Sequence, residues 1–222
     1  LSLAAGISVA VANATDVSKI FSKSFSNGTP VQITNNRDKG FAIKVGNDGT
    51  TVTSGGTAYG EDEIWYLVGD ASSFRMYSYK AGKKLALKLE SSDSGAAATM
   101  AKASDGTPLA LTAQEDGSYA IGAAGNPAQS FNMFGGAGRD IRLYSSEDNG
   151  SHWNIRPIDM SKPLRIKYNA QLEGGFDTNT RIGELAITVD GSTSNSMLTK
   201  ESALQEQTCY LPHNATFGIA TG

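Results

Sequence analysis

The sequence is short of the residues on which most protein chemistry is built. A single cysteine, Cys209, occurs in 222 residues, so neither an intramolecular disulfide nor a cysteine-based metal site can form. The histidines number two, His152 and His213, too few and too far apart in sequence for a His-rich metal centre. Charge is sparse: Asp, Glu, Lys and Arg make up 18% of the chain, and the formal net charge is −3. That balance gives no pull toward nucleic acid or an anionic membrane surface, and the longest basic run is Lys83 with Lys84. Proline is scarce, at 6 residues, which sets the chain apart from a disordered linker. Long hydrophobic runs are also missing. The apolar stretch at residues 1–12 falls well short of the roughly 20 residues that span a bilayer.

Catalytic patterns are equally thin. No Gly-x-Ser-x-Gly elbow and no phosphate-cradling Gly-Lys loop occurs. Cys209 and His213 lie close in sequence, but Pro212 between them argues against one helical face, and Cys209 reads as a small core residue of a strand. His152, beside Trp153, reads as an exposed strand residue. The acidic clusters "GEDE" (60–63) and "SSEDN" (145–149) sit in turns leading into strands, where carboxylates are expected to form solvated loop faces. "NDG" (47–49) and "SDG" (104–106) are turn chemistry and lack the further spaced acids of a calcium loop. The residues therefore point to no enzyme, no cofactor and no metal.

What is abundant is glycine, at 25 residues, together with short period-two segments. That alternation marks half-buried strands. It occurs at residues 31–34, 41–45, 51–53, 64–68, 74–79, 85–89, 98–101, 109–112, 119–123, 130–134, 141–144 and 153–156. Between residues 30 and 158 no helical stripe is sustained. The segments fall into three groups of four. "WYLV" begins at Trp65, "LALT" at Leu109 and "WNIR" at Trp153, at spacings of 44 and 44. The first strands open at Val31, Phe74 and Tyr119, each with apolar residues at i and i+2: Val31/Ile33, Phe74/Met76 and Tyr119/Ile121. A four-stranded unit of this size cannot hide its apolar face alone. Three units around a pseudo-threefold axis can close a barrel and remove the exposed sheet edges. Trp65, Leu109 and Trp153 are then expected to point into one shared core, with "GGAG" (135–138) and "DNG" (148–150) supplying tight turns.

This pattern resembles the ricin-type β-trefoil lectins over residues 30–158. The resemblance rests on the threefold spacing and on the Trp that closes repeats one and three. The family's Gln-x-Trp pattern is altered: Glu63-Ile64-Trp65, Leu109 without a Trp, and Ser151-His152-Trp153. The resemblance implies a carbohydrate site with an aromatic face for the sugar's C–H surface and fixed polar groups for its hydroxyls. In repeat three, Tyr144 falls at the family's stacking position, and Asn149, with Asp148 beside it, at the hydroxyl-binding amide. The family's Asp near the start of the unit would fall near Asn132 or Met133, so it is absent or replaced by Asn132, which is then expected to hold hydroxyls together with Asn149. Repeats one and two carry Ile43 and Leu87 there, which implies no site. The implied function is a non-catalytic carbohydrate-binding module whose partner is a glycan or polysaccharide. The alternative is a structural or protein-interaction trefoil, accessory to an enzyme domain elsewhere.

The ends of the chain carry separate expectations. Residues 1–14, apolar and closing on Ala12-Asn13-Ala14, read as an export signal, which places the protein outside the cytoplasm, secreted or at the cell surface and without membrane insertion once the signal is removed. Residues 15–29 read as a polar connector. Residues 159–222 leave the 44-residue period: "MSKPLRIKYNA", "GELAITVDG" and "QTCYLPHNATFGIATG" read as strands of a partial or accessory second β domain, with Gly174-Gly175 and "DGSTSNS" as loops. The chain is expected to be tethered to further domains.

Overall fold

The structure is a computed structural model, and it describes residues 16–136, 138–168, 181–199 and 205–221. The export-signal segment 1–14 and the Gly174-Gly175 loop lie outside the described residues. The fold is all-β. Among the described residues no helix is long and apolar enough to cross a membrane.

All twelve strands read from the sequence of residues 30–158 are present. Repeat one comprises β2 (Val31–Asn35), β3 (Phe41–Val45), β4 (Val52–Gly56) and β5 (Ile64–Asp70). Repeat two comprises β6 (Ser73–Ser78), β7 (Leu85–Leu89), β8 (Ala98–Lys102) and β9 (Leu109–Ala113). Repeat three comprises β10 (Tyr119–Ala123), β11 (Gln129–Asn132), β12 (Arg142–Ser145) and β13 (Trp153–Pro157). The first and fourth strand of each repeat form a closed ring, β2-β5-β6-β9-β10-β13, in which β13 returns to β2. The register repeats with the sequence. Within each repeat the opening residue faces the fourth-strand marker: Val31 with Trp65, Phe74 with Leu109, Tyr119 with Trp153. Between repeats the markers face Ser78, Ala123 and Asn35.

The second and third strands of each repeat form hairpins that cap one end of the barrel. They interlock pairwise through the bridges Thr51–Thr99, Thr53–Asp140 and Ala97–Arg142, one for each pair of repeats. Trp65, Leu109 and Trp153 are all fully buried in one core with Ile33, Met76 and Ile121 from the first strands and Ile43, Leu87 and Phe131 from the hairpins. Burying each of these side chains contributes on the order of 1.5–3 kcal/mol. The two indoles are also pinned by polar bonds: Trp65 Nε1 donates to the Ile43 carbonyl at 2.8 Å and Trp153 Nε1 to the Phe131 carbonyl at 2.7 Å. Leu109 has no such donor. The equivalent Leu87 carbonyl accepts the Thr107 backbone N–H at 3.0 Å instead. A buried carbonyl must be paired, and repeat two pairs it from the main chain.

Residues 16–29 are more than a connector. They contribute β1 (Phe21–Ser22), which runs parallel to β5 with Phe21 opposite Leu67, next to the stretch of β5 that pairs with β2. Ile20 is fully buried, and Phe21 packs on Phe74 with centroids 5.2 Å apart. Two residues are too few to show alternation, so the sequence pattern does not reveal this strand.

The C-terminal region forms two small sheets, β14 (Leu164–Tyr168) with β17 (Gln205–Cys209), and β15 (Arg181–Val189) between β16 (Ser192–Thr199) and β18 (Phe217–Thr221). The "DGSTSNS" segment is therefore not a loop. Asp190 and Gly191 make a two-residue hairpin turn with φ of 48° and 82°, and β16 begins at Ser192. Positive φ at both central positions is the geometry that matches strand twist, and Asp-Gly supplies it. Cys209 is buried in β17, as read from the sequence. Burial pushes its thiol up to about 11, and Sγ lies 3.5 Å from the Ala58 carbonyl.

The core of this unit contains Ile166, Ile187, Val189 and Cys209, and one residue of repeat one, Tyr59. Tyr59 has a φ of 56°, costly for a bulky side chain. It is held there from both sides. Its carbonyl accepts the Tyr210 N–H at 2.7 Å, and its own N–H donates to Glu63 Oε1 at 3.1 Å. Glu63, expected on a solvated loop face, is in fact buried. Gln32 Nε2 donates to its other oxygen at 2.7 Å, and Lys44 Nζ lies 3.3 Å away. Burial pushes the Glu63 carboxyl up, against the pull of Lys44 and the amide donors.

Candidate functional site

The hairpin of repeat three turns one face away from the core: Tyr144 on it is exposed, while Ser130 and Asn132 are covered by the turn at Ser151. Ser130 faces Tyr144 and Asn132 faces Arg142 across β11 and β12, while the intervening pair, Phe131 and Leu143, is buried in the core. Alternation therefore puts Asn132 and Tyr144 on the same outer face. Phe134 lies two residues beyond Asn132, in the turn that follows β11. Tyr144 and Phe134 are each 42% exposed, and their rings meet edge-on with centroids 6.0 Å apart and planes at 64°.

The polar residues form a network under this face. Asn132 is buried, and its Nδ2 donates to Asp148 Oδ1 at 2.9 Å and to Ser151 Oγ at 2.8 Å. Both amide protons are thus engaged inside the protein, so Asn132 supports Asp148 from beneath. Asp148 Oδ1 also accepts the Gly150 N–H at 2.8 Å and caps the short 3-10 turn Asn149–Ser151. The Asn132 amide, then the Gly150 N–H, hold the Asp148 carboxyl below the usual carboxylate range. Gly150 allows the turn to lie this close: a Cβ there would stand 2.9 Å from Asp148 Oδ1 and 3.1 Å from Asn132 Nδ2. Its carbonyl accepts Asn35 Nδ2 at 2.9 Å, which ties the turn to repeat one. Asn149 opens the turn and is exposed.

His152 is not an exposed strand residue. It follows the turn half-buried, with Nδ1 2.8 Å from Asp116 Oδ2 and Nε2 3.2 Å from the Ser146 carbonyl. This clamps the 145–149 loop to the turn at Asp116. Burial raises the Asp116 carboxyl, but the Ser118 hydroxyl and His152 outweigh it and bring it to about 2. Of the residues marked in the sequence, the structure brings Asn132, Asp148 and the start of the Asn149 turn into one bonded unit, with Tyr144 on the same hairpin face. Sequence reasoning missed Phe134 and the His152–Asp116 clamp. The period-two run of Ser130, Asn132 and Phe134 held the signal for Phe134.

The other repeats differ at the same positions. The indole-bonded carbonyls set the correspondence: Ile43 and Leu87 are the core equivalents of Phe131. The outward position of Asn132 is therefore held by Lys44 and Lys88, one residue later than the sequence comparison placed it. The register puts Gly55 and Ala101 where repeat three has Tyr144. In repeat one Lys44 lies across the glycine, since a Cβ on Gly55 would stand 2.8 Å from Lys44 Cδ. Its Nζ reaches Asp62 at 3.4 Å, Glu63 at 3.3 Å and the Gly56 carbonyl at 3.1 Å. Repeat one thus fills its own outer face.

Comparison with solved structures agrees with the fold. The trefoil part superposes on the Macrolepiota procera ricin B-like lectin, solved in complex with lactose, with a TM-score of 0.50 and 15% identity, covering 60% of this chain and 97% of that one. It also superposes on a mosquitocidal holotoxin, with a TM-score of 0.51 and 16% identity, covering 58% of this chain and 16% of that one. The fold is a ricin-type β-trefoil. No protein-family model matches the sequence, and no curated protein matches it. At this identity the likeness extends to the fold alone, over about three fifths of the chain.

Proposed function

We propose that the trefoil is a non-catalytic carbohydrate-binding module with its site in repeat three. One observation carries the reading: this repeat alone sets an exposed aromatic on the outer hairpin face beside a polar loop fixed from below. Tyr144 supplies the stacking face for a sugar's C–H surface. Asp148 and Asn149 hold hydroxyls, and Asn132 fixes Asp148 through its buried amide. Preorganised polar groups raise affinity by cutting the cost of ordering on binding. The lactose-bound lectin of the same fold supports a sugar as the ligand class. The reading extends to export: the apolar segment 1–14 would carry the module outside the cytoplasm, where glycans are met, tethered to further domains.

A second reading, a scaffold for the second β unit, is favoured by repeat one. Its outer face is closed by Lys44, and Tyr59 is given over to the core of the C-terminal unit. The two readings concern different repeats and can hold together. The deciding experiment is a glycan array with the full chain and its Tyr144→Ala variant, with circular dichroism to verify folding. Tenfold or greater loss of the retained glycans in the folded variant supports the site. Unchanged retention, or no retention by the parent protein, overturns it.

A further inference from the structure

Phe134 has no place in the reading drawn from the sequence, yet it is as exposed as Tyr144 and touches it. We infer that Phe134 is a second wall of the repeat-three site and that the site takes an oligosaccharide of two or more units. The inference rests on the sugar-binding reading above.

The ring geometry points this way. With planes at 64° and centroids at 6.0 Å, the two aromatic faces look in different directions. They cannot stack together on the single flat C–H face of one sugar ring. A glycosidic bond, however, turns one ring relative to the next. One unit on Tyr144 and its neighbour on Phe134 would use both faces of such a corner.

Phe134 is also held in place without a ligand. Met133 before it is buried, and its N–H donates to the Gly150 carbonyl at 3.2 Å, so the same turn that carries Asn149 fixes the base of Phe134. After it, Gly135 and Gly136 take φ of 76° and 92°, and the Gly136 N–H returns to the Met133 carbonyl at 2.8 Å. Beyond that the loop is bonded to repeat one: the Ser54 N–H donates to the Arg139 carbonyl at 2.9 Å, and the Gly138 N–H donates to the Ser54 carbonyl. An exposed aromatic on a loop pinned at both ends presents its face at little conformational cost. The hairpin correspondence puts Gly46 and Glu90 at this position in repeats one and two, so both aromatic walls belong to repeat three alone.

The test is a chain-length comparison on the full chain by calorimetry, using galactose with lactose, glucose with cellobiose and N-acetylglucosamine with chitobiose. The parent protein is expected to bind at least one disaccharide tenfold or more tightly than its monosaccharide. Phe134→Ala should bring that ratio to within about twofold of one, with a thermal midpoint lowered only slightly, because the side chain is partly exposed and lies outside the core. A ratio that survives Phe134→Ala overturns the inference while the sugar-binding reading stands, and so does a parent that prefers no disaccharide. If Tyr144→Ala leaves every affinity unchanged, the sugar-binding reading fails, and this inference fails with it.

Discussion

Repeats one and three are built to the same plan and put to different ends. Both close on a buried tryptophan whose indole N–H bonds a hairpin carbonyl at the same separation in sequence. Both carry a polar residue two positions before that tryptophan, Glu63 and Ser151, and both side chains are buried in hydrogen-bond networks. They part on the outer face. Repeat one lays Lys44 over Gly55 and ties it to Asp62 and Glu63. Repeat three leaves Tyr144 and Phe134 open above the Asn132–Asp148 pair. The contrast separates what the threefold plan demands from what it leaves free. Inward positions must fill a common barrel, so their variation is limited to residues that fit it. Outward positions meet mostly their own hairpin and turns, with few cross-links such as the Arg142 guanidinium to the Gly95 carbonyl of repeat two at 2.9 Å, so each repeat can be closed, opened or turned to docking with little disturbance of the other two.

The largest effect is expected from breaking the shared inward element. Trp153→Leu gives repeat three the core residue of repeat two but not its backbone solution. In repeat two the Thr107 N–H reaches the Leu87 carbonyl. In repeat three the Ser151 N–H already donates to the Asp148 carbonyl at 2.8 Å, so the Phe131 carbonyl would keep only the long bond from the Ser130 hydroxyl at 3.4 Å. Lost volume and a poorly paired acceptor together should cost about 4 kcal/mol, read as a lowered urea midpoint. A loss under about 1 kcal/mol would show that the indole bond is not what holds the hairpin to the barrel.

Next is the element peculiar to repeat one. Glu63→Ala removes the acceptor for the Ala58 and Tyr59 N–H groups and for Gln32, and leaves Lys44 with Asp62 and the Gly56 carbonyl. Breaking a buried charged network from one side should cost about 3 kcal/mol. The damage is expected to be local first. Without Glu63, Tyr59 loses one of the two bonds that hold its left-handed backbone, and the C-terminal unit loses part of its seat. Limited proteolysis should cut residues 159–222 from the variant before the trefoil unfolds in urea. Simultaneous loss of both parts would show that the docking does not run through this residue.

How much of this was legible in the sequence follows from the same division. The twelve strands and the barrel announced themselves because inward residues alternate and recur every 44 positions, as Trp65, Leu109 and Trp153 do. Features that break the repeat were hidden. β1 is two residues long and pairs in parallel with a strand outside its own segment. β16 reads as a loop because Ser, Thr and Asn fill it, and its pairing with β15 alone fixes it as a strand. Glu63 looked like one more loop acid, since nothing local shows that Gln32 and the Tyr59 backbone enclose it. At the candidate site, Tyr144, Asp148 and Asn149 were proposed through the family pattern, and the structure places all three in or beside the hairpin and turn of repeat three. The assignment of Ile43 and Leu87 slipped by one residue because hairpin lengths differ between repeats, and in a strand one residue reverses the face.

The smallest expected effect sharpens the comparison through pH, because the acids of the two repeats are shifted in opposite senses. Asp148 in repeat three is held below its ordinary value of 3.8 by the Asn132 amide and the Gly150 N–H. A group with a depressed folded value contributes stability that is complete above the unfolded value and is lost as pH falls through the folded one. Glu63 in repeat one is raised above 4.5 by burial. Its protonation therefore contributes stability that is complete below pH 4.5 and is lost as pH rises through its folded value. Urea titrations at a series of pH values should resolve the two. Asp148→Asn should lose less stability than the parent protein on acidification from pH 5 to pH 3, because its carboxylate no longer has to be protonated. Glu63→Gln should lose less than the parent as pH rises from 4 toward neutrality. Asp148 lies near the surface, where solvent screens such interactions, so the change in slope there should be slight. Slopes that shift in the same direction in both variants would mean that the two acids answer to the same environment, and that the division between a closed repeat and an open one does not reach their chemistry.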